Sequence, residues 1–142
     1  MRIERFEDIE AWQLARELTQ RVYALTNKDP FCRDFGLRGQ IQNAAGSSMH
    51  NIAEGYDSES NPEFVRFLRY AKRSCTEVQS ELYVALDQKY IIKDDFQDVY
   101  DRASRTRAAI RGFIKYLLKF EQDRKKKTNP KPGTSEPRTP NL

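Results

Sequence analysis

Apolar residues recur every three or four positions through most of the chain, and proline marks where that rhythm stops. Ala11, Leu14, Ala15, Leu18, Val22 and Leu25 share one stripe, which predicts a helix over about 9–26 ending at Asn27-Lys28-Asp29-Pro30. A second helix is predicted over about 34–54, with Gly55 as the left-handed residue that closes it. The stretch from Asp57 to Pro62 reads as a turn. Asn61 is the expected cap of a third helix, with Pro62 in the first position, where its missing N–H costs nothing. That helix runs to about Gln88 and turns Phe64, Phe67, Leu68, Ala71, Cys75, Val78, Leu82 and Ala85 inward. After a connector through Tyr90-Ile91-Ile92, a fourth helix is predicted over about 96–122, with Val99, Ala103, Ile110, Phe113, Ile114 and Leu117 inward. No proline interrupts positions 63–129, and no segment alternates with period two over a strand length. The pattern predicts an all-α protein: an antiparallel up-down-up-down four-helix bundle over residues 1–123. Residues 124–142, mostly Lys, Pro, Thr, Ser and Asn, are expected to form a disordered basic tail.

The 142 residues suffice for one domain with its own core. The 25 Lys+Arg against 21 Asp+Glu give a formal net charge of +4. Six of those basic residues and a single acid lie between Arg124 and Leu142, so residues 1–123 hold 19 basic against 20 acidic groups. The basic balance belongs to the tail and does not by itself describe a nucleic-acid-coating domain. No window of about 18 uncharged apolar residues exists, so no transmembrane helix is expected. The segment Met1 to Asp8 mixes acids with bases and lacks the apolar core of a signal peptide, and the expected compartment is cytoplasmic. Cys32 and Cys75 make no disulfide framework, and His50 is the only histidine. No metal site and no cofactor are expected from so few soft ligands.

The second helix has an unusual face. Ile41, Ala45, Met49 and Ile52 form its apolar stripe, and beside it lie Gln40, Ala44, Ser47, Asn51 and Glu54. These are small or hydrogen-bonding residues where a solvated helix normally carries Lys and Glu. The stripe is a candidate subunit interface, or it belongs to a central helix whose small residues let a neighbour approach. Asn51 and Glu54 are one acid and one amide and make no reaction centre.

Two basic rows are candidates for phosphate contact. Arg107, Arg111, Lys115 and Lys119 follow one another at i, i+4 with no acid among them, and Arg66, Arg69 and Arg73 stand on the third helix. Tyr70 and Tyr116 are the aromatics proposed to stack on bases. The alternative is a pair of solvated faces balanced by Asp94, Asp95, Asp98 and Asp101. No enzyme motif stands up. Gly36-Leu37-Arg38-Gly39 follows no strand and lacks the phosphate-loop pattern, and Ser47, His50 and Glu54 in a row on one helix offer no oxyanion donors. A non-catalytic protein with no small-molecule substrate is expected.

The runs Gly36-Leu37-Arg38-Gly39-Gln40-Ile41, Ala44-Ala45-Gly46-Ser47 and Asn51-Ile52-Ala53-Glu54-Gly55 resemble the signature of the bacterial 23S ribosomal RNA intervening-sequence proteins. Phe6, Trp12, Glu63-Phe64, Phe67-Leu68, Ser74 and Glu77 agree, over about residues 6–120. The resemblance implies a small four-helix bundle that is similar to the accessory variability determinant of diversity-generating retroelements, and a homopentamer. It implies a pentamer more strongly than any reaction; with the basic rows of the third and fourth helices, the expectation is non-catalytic binding of structured RNA or an RNA–protein complex. Asn43, Gly46 and Arg73 depart from the usual pattern and move attention from the second helix to the third and fourth. The competing reading is a protein-binding scaffold with no nucleic-acid role.

Overall fold

The computed structural model describes residues 2–128. A short 3-10 turn, Phe6–Asp8, leads into α1 (Glu10–Thr26), and a second, Phe31–Arg33, leads into α2 (Phe35–Tyr56). α3 (Asn61–Asp87) and α4 (Lys93–Thr128) complete the chain, and no strand occurs among the described residues. Each helix packs on its neighbours in sequence, and α4 closes the ring against α1. Interhelical contacts run in opposite senses along each pair. Arg21 reaches Asp98 and Glu17 reaches Arg102 between α1 and α4, while Gln79 meets Ser104 and Thr76 meets Arg107 between α3 and α4. The architecture is the expected antiparallel four-helix bundle.

The apolar stripes are the core. Leu18, Val22, Ile52, Leu68, Val78, Leu82, Val99, Ile110 and Leu117 are wholly buried. Of the expected inward residues, Leu14, Phe67 and Phe113 stop half-buried at the edges of their stripes. Helix ends differ from expectation by small, explicable amounts. Ser60 caps α3 by accepting from the Glu63 N–H at 3.2 Å, so Asn61 and Pro62 both lie inside the helix, and Asn61 is buried. Asp34 caps α2 from the Leu37 N–H at 3.1 Å and also accepts the Tyr90 hydroxyl at 2.9 Å, which ties the α3–α4 connector to the start of α2. The left-handed residue that closes a helix is Lys89, φ 63°, after α3. There the Tyr90 N–H reaches the Ala85 carbonyl and the Lys89 N–H that of Leu86, the double bond of a helix-terminating turn.

Gly55 does not close α2; the helix continues to Tyr56. It is buried where α3 passes closest. A Cβ there would stand 2.7 Å from Phe64 Cδ1 and 2.9 Å from Phe67 Cβ. α4 begins three residues earlier than expected and runs on to Thr128, so Arg124 to Lys127, assigned to a disordered tail, are helical. Arg124 is held one turn back by Glu121 at 2.8 Å. Residues 129–142 of the expected tail lie outside the described residues.

One core residue carries a charge problem. Glu81 is 9% exposed on α3, and its Oε1 has no hydrogen-bond partner. Burial, followed by the charge of Glu77 and a hydrogen bond shared with it, pushes its carboxyl up to about 7 from the ordinary 4.5. The fold therefore favours the protonated form. Stability from this group is present at pH 4 and is lost as pH rises through about 7. Glu81→Gln is expected to raise Tm by about 3 °C or more at pH 8 and by less at pH 5, read by thermal melts. An equal gain at both pH values would remove titration as its cause. Gly55→Ala is expected to lower stability by roughly 1–3 kcal/mol in urea unfolding, because the Phe67 Cβ is fixed by the backbone of α3 and no χ rotation moves it aside.

Candidate nucleic-acid interface

The α3–α4 register builds the site. Tyr83 meets Tyr100, Gln79 meets Ser104 and Thr76 meets Arg107, each step one helical turn or two further from the connecting loop. Continued by one more turn, the same register sets Lys72 opposite Arg111, and beyond it Arg69 and Leu118 line a shallow groove with Val65, Glu121 and Lys125. Arg107 donates to Thr76 Oγ1 at 3.3 Å. The cations of the two helices therefore meet along one seam. The i, i+4 row is not straight, since each step turns about 40° around the helix. Arg107 faces α3, Arg111 leans outward, and Lys115 and Lys119 continue onto the open side of α4.

These basic residues are not equivalent. Arg66 is already engaged: its Nε and one terminal nitrogen donate to Glu63 at 3.1 and 2.9 Å, and the other donates to the Tyr70 hydroxyl at 3.1 Å. The hydrogen bonds it donates to Glu63 and Tyr70 hold the guanidinium charged, and Arg66 holds the Glu63 carboxyl below its usual range. Arg73 lies over the Tyr70 ring at 5.1 Å and Arg66 at 5.6 Å, so Tyr70 is flanked by guanidiniums. By contrast, Arg69, Arg73, Arg107, Arg111, Lys115 and Lys119 make no ion pair among the described residues. Two of the acids that could have balanced them have other partners. Asp98 bridges Arg21 of α1 at 2.9 Å and Arg102 at 3.1 Å, which lowers its pKa despite partial burial, and Asp101 accepts from Gln97.

The polar stripe of α2 turns out to serve α3. Ala44 is buried, Ser47 and Asn51 are half-buried, and Gln40 and Glu54 are exposed. Asn51 Nδ2 donates to the Ser47 carbonyl and hydroxyl at 2.9 and 2.8 Å, and Ser74 of α3 donates to Ser47 Oγ at 3.1 Å. Ser47 is thus committed away from His50, which is exposed, and the row Ser47–His50–Glu54 is not wired as a nucleophile. Burial pushes the Cys75 thiol up to about 12, and the Cys32 S–H donates to Asp29, which raises it too. Neither suits nucleophilic work near neutral pH. Among the described residues no three metal-ligating side chains gather, and no helix is long and apolar enough to cross a membrane. Tyr116 lines a separate cavity of about 620 Å³ with Ile3, Ile9, Ala109 and Phe113, on the α1–α4 flank. The aromatic that sequence reasoning missed is Tyr83, half exposed on the seam itself.

No curated protein matches the chain. A solved structure from Bacteroides thetaiotaomicron, described as a protein with unknown function from the S23 ribosomal protein family, superposes with a TM-score of 0.67 at 19% identity. The match covers 74% of this chain and 98% of that one, and it establishes the shared bundle fold. The family model for the 23S rRNA-intervening sequence protein matches residues 7–112. With the bundle's helices within or overlapping that span, the chain belongs to the 23S rRNA-intervening sequence protein family.

Proposed function

We propose that this protein binds structured RNA, or an RNA–protein complex, without catalysis, through the outer face of α3 and α4. The observation that carries the reading is the set of unpaired cations on that face, from Arg69 and Arg73 to Arg107, Arg111, Lys115 and Lys119. A face balanced for solubility alone would interleave acids, and one α4 acid, Asp98, is engaged by Arg21 on the α1 side instead. Arg66 is a positioning residue here, orienting Tyr70 rather than reaching phosphate. The family description, an rRNA-intervening sequence protein, agrees in ligand class.

A homo-oligomer, a pentamer by the resemblance of the α2 sequence, is the assembly we propose. The outward members of the α2 stripe, Gln40 and Glu54, supply its interface, while Ala44, Ser47 and Asn51 hold α3. Gln40→Lys with Glu54→Lys is expected to reduce the mass measured by light scattering to that of smaller species while helicity is retained. An unchanged mass would exclude that face.

The RNA reading is checked by filter binding to a hairpin RNA across a salt series. Affinity should fall steeply as salt rises, log against log, and Arg111→Ala should reduce the slope by about 1. Glu10→Gln on the far flank should leave the slope unchanged. Binding indifferent to salt, or no binding at about 50 mM, would leave the scaffold reading in possession.

A further inference from the structure

The α3–α4 seam is chemically graded along its length. Nearest the connecting loop, Tyr83 packs on Phe96 with ring centroids 4.9 Å apart and on Tyr100 at 6.1 Å, yet remains 51% exposed. Next come neutral groups: the Gln79 amide donates to Ser104 Oγ at 2.8 Å and to the Tyr100 carbonyl at 3.2 Å. Then the cations begin at Arg107, hydrogen-bonded to Thr76, and continue through Arg111 and Arg69. At about 1.5 Å per residue, Tyr83 lies roughly 10 Å along α3 from Thr76. The exposed tyrosine and the guanidiniums thus lie within the span of a few nucleotides, with the buried Gln79 amide tying α3 to α4 between them.

We infer that this seam takes an unpaired stretch of RNA, with phosphates on Arg69, Arg107 and Arg111 and a base stacked on Tyr83. The inference rests on the RNA reading of the α3–α4 face. A paired base inside an A-form helix offers no face to a protein ring, whereas a looped-out or single-stranded base does. Any base has such a face, so the contact carries affinity with little sequence preference. Tyr83 is the aromatic placed for it. Tyr70 is bracketed by Arg66 and Arg73, and Tyr116 lines the cavity on the opposite flank of α4. Phe96 and Tyr100 pack against Tyr83 in edge-on contacts, which limits the rotamer freedom a stacking platform would otherwise lose on binding. Asp87, Asp94 and Asp101 belong to the loop end, so the phosphates run from Tyr83 toward Arg107 and away from the loop.

The test is fluorescence anisotropy on the full chain with a labelled single-stranded RNA of about 12 nucleotides and with a blunt duplex of the same sequence. The intact protein is expected to prefer the single strand. Tyr83→Leu, which still covers Phe96, should weaken single-strand binding about 5-fold or more without altering the salt slope, and Tyr83→Phe should bind as the parent does. If Tyr83→Leu binds the single strand undiminished while Arg111→Ala weakens both RNAs, the stacking inference is overturned and the charge reading stands. If the parent protein binds duplex as tightly as single strand, the inference is likewise overturned, whatever the folding of the variant. Failure to bind either RNA would overturn both.

Discussion

The close approach of α2 and α3 is the constraint on which the remaining geometry depends. Gly55, Ala44 and Ser47 present little more than backbone to α3, and a Cβ at Gly55 has no room beside Phe64 and Phe67. Shortening the distance at this seam brings Ser74 within hydrogen-bond range of Ser47 and seats Phe64 against Tyr56 and Phe113. With that side of α3 fixed, the residues a half-turn away, Arg66, Arg69 and Arg73, have no direction left but outward. α4 packs on the adjoining side and contributes Arg107 and Arg111 to the same surface. The cationic face is thus a consequence of small residues on the far side of α3, where no charge is involved.

Much of this was legible in the sequence because it is local. The inward stripe of every helix follows from a period of 3.6, and nearly all the residues assigned inward are buried. What escaped depends on contacts between segments distant in the chain. A glycine after a periodic run looks like a terminator until α3 is placed against it, and only then does Gly55 become a packing residue. Ser60 and Asn61 are both good caps, and the choice was made by which of them the core buries. The Lys-rich end of α4 reads as tail by composition, yet Lys and Arg are sound helix formers and complement the helix C-terminus.

The candidate site was half legible for the same reason. Which residues are basic is written in the sequence; which of them are free is decided by pairing. Arg66 and Arg69 look alike along the chain, but Glu63, three residues before Arg66, forms a two-pronged pair with it. The α2 stripe shows the converse. Its small and polar residues read as an interface along the chain, and Ser47, which Asn51 also contacts, meets Ser74 of α3 in the same chain. Tyr83 drew no notice because a tyrosine on an exposed helix face is common, and only Phe96 and Tyr100 from α4 mark it as a supported ring.

Charge balance and charge placement are separate quantities in this protein. Residues 1–123 hold one more acid than base, yet Asp98 sits between Arg21 and Arg102 while Arg69, Arg107 and Arg111 make no ion pair among the described residues. Screening at physiological ionic strength acts over about 8 Å, so an acid paired on the α1 side does little to a phosphate approaching α3. A neutral body can therefore present a positive face, provided its acids are held elsewhere by their own partners. Arg21 and Arg102 do that for Asp98, and the Arg21–Asp98 and Arg102–Glu17 bridges bind α1 to α4 at the same time. The ion pairs that stabilise one flank of the bundle are what leave the other flank charged.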